Sequence, residues 1–344
     1  MKLLFIGFGN VGRKVAEIFS AEKEKYPKLA GFNPQVIGIF TKNHGAVVNE
    51  AGINLPEALS NYNKGILDTV SEEKQLIPIE AVKSLDYDVL VELSTLSIKE
   101  KGEPAVSHVR EALKRGKHVV TANKGPAAFA HKELSELALK SNLKFLFESA
   151  VMDGAPVFSM ARCSMKGCRV TGFSGILNST TNFILSQLEC GRSFEDALKI
   201  AQEEGFAEAD PSNDIDGWDA AAKVAVLCNE LMEKNITPFD VAREGIAGVT
   251  LEKTKEVKKN GKRLKLVCGA NYEDGKLFPY VKLQELPWDH PFSKVDLSGS
   301  ILRVETDLMN PVLIIQDDPD IYDTAYGVLN DLLTINGFYR SADY

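Results

Sequence analysis

The 344-residue chain is poor in cysteine, histidine and tryptophan, with five, five and two copies. The cysteines are scattered and odd in number, which argues against a disulfide framework and leads us to expect a reducing cytoplasm. Cys163 and Cys168 have no histidine cluster beside them, so a zinc site is not expected. No apolar run is long enough to cross a bilayer, and the first residues are too short an apolar stretch for a signal peptide.

Positive charge is also in deficit, since the net charge is -8. This argues against nucleic acid as a partner, because nucleic-acid binding depends on cationic contacts to phosphate. Seven Lys or Arg residues lie between positions 253 and 265, but stacking aromatics are missing, so we interpret them as solvated charges on a helix and a strand. The composition, 44% hydrophobic and 26% charged, is typical of a soluble globular protein, and the length indicates two domains.

The first residues predict a dinucleotide-binding turn. Residues 2–6 have the apolar character of a buried strand, and residues 13–19 that of a helix. Between them lies a G-x-G-x-x-G motif, whose glycines let backbone N–H groups approach a pyrophosphate at the helix N-terminus. The alternative is a tight strand–helix turn with no ligand. The predicted cofactor-binding residues are Gly7, Phe8, Gly9, Asn10, Val11 and Gly12.

The second predicted strand, residues 35–41, ends without the acidic residue that holds the ribose 2′-hydroxyl of NAD. Lys42, with His44 nearby, could instead meet the 2′-phosphate of NADP. A solvated loop lysine is an equal alternative. We therefore hypothesise that NADP is preferred, with NAD as the other candidate.

Two later strands carry polar residues at their carboxyl ends. Residues 88–93 are followed by Ser94 and Thr95, and residues 117–122 by Lys124. Ligands of doubly wound sheets bind at this edge, so we expect all three residues near the cofactor, although Lys124 could be an ordinary surface charge. The predicted fold is α/β: a Rossmann-type domain over 1–135, then an α+β domain over 136–321. The last helix, about 322–344, is expected to return to the first domain.

The stretch from Gly205 to Lys223 combines a loop with the start of a helix. Seven carboxylates lie between Glu203 and Asp219, and Asp219 and Lys223 share one helical face as i and i+4. Asp214 or Asp216 is the predicted helix cap. One interpretation is an acidic solvated loop with a surface ion pair; the other is a site that binds a cationic group beside a proton-transferring amine.

Five motifs together resemble the homoserine dehydrogenase family in its short form over nearly the whole chain. They are GFGNVG, VVTANKGP at 119–126, GILNSTTNFIL at 175–185, GFAEADP at 205–211 and DGWDAAAK at 216–223. The resemblance implies NAD(P)-dependent interconversion of L-aspartate 4-semialdehyde and L-homoserine in threonine and methionine biosynthesis. It also implies a homodimer built by strands of the catalytic domain.

The resemblance further implies roles for single residues. Lys223 would be the catalytic acid/base, Lys124 would lie beside cofactor and substrate, and Gly205 would touch the cofactor. Glu208 and Asp219 would hold the substrate ammonium, and we add Asp214 from the same loop. A monovalent cation such as sodium would bind at a turn that includes Glu148, Val151, Asp153 and Ala155.

The chain departs from the family pattern at three places. A glycine-rich loop is replaced by the acidic stretch 316–320, the turn after Val151 carries Met152 and Asp153, and Ser179 stands where glycine is usual. Acids near a pyrophosphate would repel it, so either the loop has moved or the ligand differs. The alternatives are a paralogue acting on another semialdehyde or small oxo acid, and a cofactor-binding sensor without turnover. No appended regulatory domain is expected after the last helix.

Overall fold

The computed structural model describes residues 1–21, 25–67, 76–204, 207 and 210–337. The chain divides into two compact units. The first comprises Met1–Pro156 and the segment that begins at Asp320, and the second comprises Val157–Pro319.

The first unit is built on a six-stranded sheet of order β3-β2-β1-β4-β5-β6. All neighbouring strands are parallel except the short edge strand β3, which runs antiparallel to β2. This strand order is that of the classical dinucleotide-binding fold, so the predicted Rossmann-type domain is confirmed. The strands are β1 Lys2–Ile6, β2 Gln35–Phe40, β3 Ala46–Val48, β4 Val89–Glu92, β5 His118–Thr121 and β6 Phe145–Leu146.

In the described part of the first unit, six helices lie between these strands along the chain, and a seventh, from the C-terminal segment, packs in the same core. Ala325, Val328 and Leu332 of this last helix are buried in one apolar cluster with Leu3 and Val15. The helices are α1 Asn10–Ser20, α2 Leu55–Asn63, α3 Pro78–Ser84, α4 Ala105–Lys114, α5 Lys124–Phe129, α6 His131–Lys140 and, at the end of the described chain, α13 Ile321–Ile335. Short 3-10 helices occur at Pro27–Leu29 and Glu148–Ala150.

The boundary between the units lies later than the predicted position between residues 135 and 136. β6 follows that position and pairs in parallel with β5, so it extends the first sheet. The turn after β6 is tied to α13 by the Ser149 hydroxyl, which donates to the carbonyl of Thr324 at 2.7 Å. Both contacts keep residues 136–156 with the first unit, and the sequence prediction ended that domain one strand too early.

The second unit is a mixed α+β structure, as predicted, around a sheet of order β12-β11-β7-β9-β10-β8. The pairings are antiparallel except β8 with β10, and β9 and β10 form a hairpin. The strands are β7 Val170–Ile176, β8 Ala242–Arg243, β9 Lys262–Glu273, β10 Lys276–Pro287, β11 Ser300–Thr306 and β12 Val312–Gln316.

The helices of the second unit are α7 Val157–Ser164, α8 Ser179–Glu189, α9 Phe194–Glu203, α10 Ser212–Ile215, α11 Trp218–Leu231 and α12 Leu251–Lys259, with 3-10 helices at Pro238–Asp240 and Pro291–Lys294. The helix predicted to start in the stretch Gly205 to Lys223 is α11, and its buried residues include Ala221, Val224 and Leu227. Within the described part of the chain, no helix is both long and apolar enough to cross a membrane.

Candidate active site

The glycine turn between β1 and α1 has the shape of a cofactor cradle. Gly7 has φ of 98°, and an added Cβ would lie 2.5 Å from the backbone carbon of Leu93, so only glycine fits. At Gly9 an added Cβ would meet no atom within 4 Å, which leaves open space in front of the helix N-terminus. The fold therefore presents the orphan N–H groups of α1 to that space, as a dinucleotide pyrophosphate requires.

The other residues of the motif pack the turn. Phe8 is 1% exposed and belongs to the core of the first unit. Val11 packs against the same core, and an added Cβ at Gly12 would lie 3.1 Å from the carbonyl oxygen of Gly7. Asn10 is exposed, and its side chain accepts a hydrogen bond from Arg13 at 2.6 Å.

The carboxyl ends of β4 and β5 are joined by a buried polar network. Glu92, fully buried, accepts from the Ser94 backbone N–H at 2.9 Å and contacts the His108 Nδ1 atom at 2.7 Å. Asn123 donates to the Ser94 hydroxyl at 3.3 Å and caps α5 through the N–H of Gly125 at 2.8 Å. The network fixes the edge at which the sequence analysis expected the cofactor.

The predicted residues at this edge differ in exposure. Lys124 is half-buried in the first position of α5, and Thr95 is exposed. Lys42 is exposed beyond β2, while the His44 ring lies against the Tyr62 ring with centroids 4.3 Å apart. The sequence analysis did not single out Arg13. Its guanidinium also lies against the Tyr62 ring, 4.8 Å from the ring centroid.

In the second unit, Lys223 and Asp219 form the predicted i, i+4 pair on α11. The Lys223 ammonium lies 3.0 Å from Asp219 Oδ2, and the two side chains are only 15% and 14% exposed. The ammonium also donates to the carbonyl of Leu177 at 2.6 Å. The pair is therefore held in a partly desolvated place, which distinguishes it from a surface ion pair.

The predicted cap of α11 is wrong. Asp214 lies in α10, and Asp216 ends that short helix. The residue before α11 is Gly217, with φ of 78°, and an added Cβ there would lie 2.5 Å from the carbonyl oxygen of Glu244. A left-handed glycine therefore makes the bend between the two helices, and the Asp214 carboxylate does not cap α11.

The Asp214 carboxylate instead contacts Asn178, which precedes α8. Its Nδ2 donates to Asp214 Oδ1 at 2.7 Å and to Asp219 Oδ2 at 2.9 Å, while its Oδ1 accepts from the Thr181 N–H at 2.8 Å. The structure thus brings Asp214, Asp219 and Lys223 together. The sequence analysis did not predict this link, which spans 36 and 41 positions along the chain.

Cys268 on β9 lies close enough to this cluster to be influenced by the charges of Lys223 and Asp219. Burial raises the pKa of Cys268 to about 12, so the residue is a thiol at neutral pH. A thiolate nucleophile is therefore not part of the site's chemistry.

The predicted cation turn is buried and anchored to α13. Met152 and Asp153 both have left-handed backbone conformations, with φ of 54° and 53°. Asp153 accepts from the Thr324 hydroxyl at 3.2 Å, and the Glu148 N–H donates to Asp331 at 2.8 Å. Among the described residues, no group of three or more His, Cys, Asp or Glu could hold a metal. An ion at Glu148, Val151, Asp153 and Ala155 would therefore depend on backbone carbonyl oxygens, the donors that suit a hard monovalent cation.

Two acidic residues of the stretch 316–320, Asp318 and Asp320, have structural partners. Asp318 accepts from the Ser298 hydroxyl at 2.7 Å. Asp320 caps α13 by accepting from the Tyr322 N–H at 2.6 Å, and Asp323 completes a capping box. Two of the three acids thus take part in local turns and caps, where carboxylates are favoured. Two predicted site residues, Gly205 and Glu208, lie outside the described residues.

The geometry of the two units defines a class of protein: an oxidoreductase that binds NAD(P) on a Rossmann-type domain and carries a lysine–carboxylate cluster on an α+β domain. Family models agree with this class. The model of the homoserine dehydrogenase NAD-binding domain matches residues 7–148, and the homoserine dehydrogenase model matches residues 156–333.

Individual proteins agree as well. The NAD(+)-dependent homoserine dehydrogenase of Pseudomonas canavaninivorans is 33% identical over 97% of this chain and 96% of its own length. The homoserine dehydrogenase of Methanocaldococcus jannaschii is 36% identical over 97% of this chain and 98% of its own. A hyperthermophilic archaeal homoserine dehydrogenase, solved in complex with NADPH, has a TM-score of 0.81 and 28% identity, covering 98% of both chains. The chain belongs to the homoserine dehydrogenase family.

Proposed function

We propose that this chain interconverts L-aspartate 4-semialdehyde and L-homoserine with NAD(P)H and NAD(P)+, with Lys223 as the acid/base. The observation that carries the proposal is the largely buried ammonium of Lys223, held by Asp219 Oδ2 at 3.0 Å and by the carbonyl of Leu177 at 2.6 Å. Such an amine has a defined direction and a proton to give. A solvated surface lysine also carries a proton, but its ammonium has no fixed direction.

The aldehyde substrate carries an ammonium group, which Asp219, Asp214 and Glu208 can bind by charge-assisted hydrogen bonds. Bound NAD(P)H supplies the hydride to the aldehyde carbon. As the C=O bond becomes a C–O bond, negative charge develops on oxygen, and the Lys223 ammonium stabilises that charge and donates its proton. In the oxidative direction the neutral amine takes the hydroxyl proton of homoserine. Lys124, half-buried at the edge of the first sheet, would orient the substrate beside the cofactor.

A spectrophotometric assay of NADPH and NADH oxidation tests the proposal. Turnover with aspartate semialdehyde supports it. Turnover restricted to other amino-acid semialdehydes or oxo acids would show instead that the protein is a paralogue with a different substrate. Cofactor binding without turnover on any of these aldehydes would identify a sensor. The acidic stretch 316–320 was the feature that favoured a paralogue. Because Asp318 and Asp320 in it form local hydrogen bonds, the stretch does not require a different ligand.

For the cofactor we propose a preference for NADP. The loop after β2 carries Lys42, and the Arg13 guanidinium and the His44 ring both lie against Tyr62, so basic side chains lie near the place where a ribose 2′-phosphate is expected. The relatives do not share one cofactor, because one is named NAD(+)-dependent and another was solved with NADPH. Lys42→Glu should weaken NADPH binding and leave NADH binding nearly unchanged in a fluorescence titration. Equal affinity of the unmodified protein for both cofactors would refute the preference.

We further propose that a monovalent cation such as sodium binds the turn 148–155 through backbone carbonyls. Titrating sodium chloride against choline chloride at constant ionic strength separates a bound ion from general salt screening. A saturable rise in thermal stability with sodium alone is expected. An equal rise in thermal stability with choline would refute a bound sodium ion.

A homodimer in the cytoplasm completes the proposal. Leu313 and Ile315 are 40% and 59% exposed on β12, the edge strand of the second sheet. They share one face of the sheet with Arg303 and Tyr280, because the strand pairing places these residues in register. Exposed apolar side chains on a sheet edge are normally covered, and a second copy of the sheet would cover them.

A further inference from the structure

One side-chain amide, that of Asn178, connects the two aspartates of the candidate site. The residue is 4% exposed. Its nitrogen donates to Asp214 at 2.7 Å and to Asp219 at 2.9 Å, and its oxygen accepts from Thr181 at 2.8 Å. Both hydrogens of the NH2 group and one lone pair of the oxygen are in use, so the orientation of the amide is determined by its partners.

The same turn also holds the reactive amine. Lys223 donates to the carbonyl of Leu177, the residue before Asn178, and it pairs with Asp219 Oδ2. That oxygen is the one to which the Asn178 amide donates. A displacement of the turn would therefore move these two acceptors of the ammonium at once.

The carboxylates that Asn178 joins lie on different helices, α10 and α11, and carry the same charge. Without a donor between them they would repel each other, and α10 is too short to fix Asp214 by itself. We propose that Asn178 is a positioning residue: it holds Asp214 and Asp219 together and thereby aims the Lys223 ammonium at the reacting oxygen. The inference rests on the acid/base role of Lys223 proposed above.

The helix that Asn178 caps has an independent anchor. Asn182, one turn further along α8, donates to the carbonyl of Leu297 at 3.0 Å and accepts from the buried Lys265 ammonium at 2.8 Å. A change at Asn178 should therefore leave α8 in place. This allows the amide donor to be removed without losing the fold.

Asn178→Asp is the decisive variant, because aspartate caps helices as well as asparagine but cannot donate. We expect kcat to fall about 10- to 100-fold, as for a misplaced catalytic group, with unchanged NADPH affinity and a similar melting temperature. The third carboxylate should also move the pH limb of homoserine oxidation to higher pH, since it stabilises the protonated amine. Asn178→Ser keeps a cap and adds no charge, so kcat should fall without that displacement of the pH limb.

Asn54→Asp is the matched control, since Asn54 caps α2 of the first unit by accepting from the Glu57 N–H at 3.3 Å. It should have wild-type kcat and pH profile. Wild-type kcat in both Asn178 variants would overturn the positioning role and reduce Asn178 to a helix cap. If Asn178→Asp fails to fold, Asn178→Ser decides alone. An unmodified protein without turnover would instead refute the proposed function, and the positioning role with it.

Discussion

Lys265 is a buried ammonium whose titration should be visible in the stability of the second unit. Its side chain is 1% exposed and donates to Asn182 Oδ1 at 2.8 Å and to the Val295 carbonyl at 2.6 Å. Burial, followed by the nearby charge of Arg263, lowers the pKa of Lys265 to about 8, although Asp296 opposes the shift. An unfolded lysine keeps its proton up to about pH 10.4.

The sign follows from proton binding in the two states. Between pH 8 and the unfolded pKa, the unfolded chain binds a proton that the folded chain has lost, so the free energy of unfolding rises with pH. A difference of about 2.4 pKa units corresponds to about 3 kcal/mol over the whole window. Below pH 8 both states are protonated, and the folded state bears the full cost of the buried charge.

Lys265→Met should abolish this rise. Both tryptophans, Trp218 and Trp288, belong to the second unit, so their fluorescence during urea unfolding reports on the unit that contains Lys265. Between pH 7 and pH 10, which covers most of that window, the free energy of unfolding of the unmodified protein should rise relative to that of the variant by about 2–3 kcal/mol. Lys276→Met, which removes an exposed lysine from the same hairpin, is the control. Parallel pH curves for unmodified protein and Lys265→Met would refute the reasoning.

The remaining predictions concern the turn and the sheet edge. Gly7→Ala forces a side chain into a left-handed position against the Leu93 backbone, so it should cost at least about 1–3 kcal/mol of stability and weaken NADPH binding, both measurable by thermal shift with and without cofactor. Unchanged NADPH affinity in a folded Gly7→Ala protein would contradict the claim that this turn binds the cofactor. Ile315→Lys places a charge on the exposed face of β12 and should convert a dimer to a monomer in light scattering. Retention of the dimer would locate its interface elsewhere.

Much of the fold could be predicted because its signals are local. The strand–glycine turn–helix at the start of the chain, the hairpin of β9 and β10, and the apolar stripe of α11 each lie within one short segment. The short edge strand β3 was not predicted, because three half-buried residues carry no clear period. The first domain boundary was placed too early for a related reason: β6 is recognisable as part of the sheet only through its pairing with β5.

The candidate site could be predicted in its residue types but not in its connections. Spacing alone placed Asp219 and Lys223 on one face, and the structure confirms that they pair. The sequence analysis also predicted Asp214 or Asp216 as the helix cap, whereas the residue before the helix is the left-handed Gly217 and Asp214 accepts a hydrogen bond from Asn178. Contacts between segments 36 or more positions apart leave no periodic trace, so sequence reasoning could not find them.

The acid/base role of Lys223 is tested most directly by the turnover of Lys223→Ala with NADPH and L-aspartate 4-semialdehyde. The account predicts a loss of about 10²- to 10⁴-fold in kcat, the usual contribution of a general acid, with NADPH affinity unchanged in the same preparation. Turnover of the variant close to that of the unmodified enzyme would contradict it, because another group would then have to supply the proton.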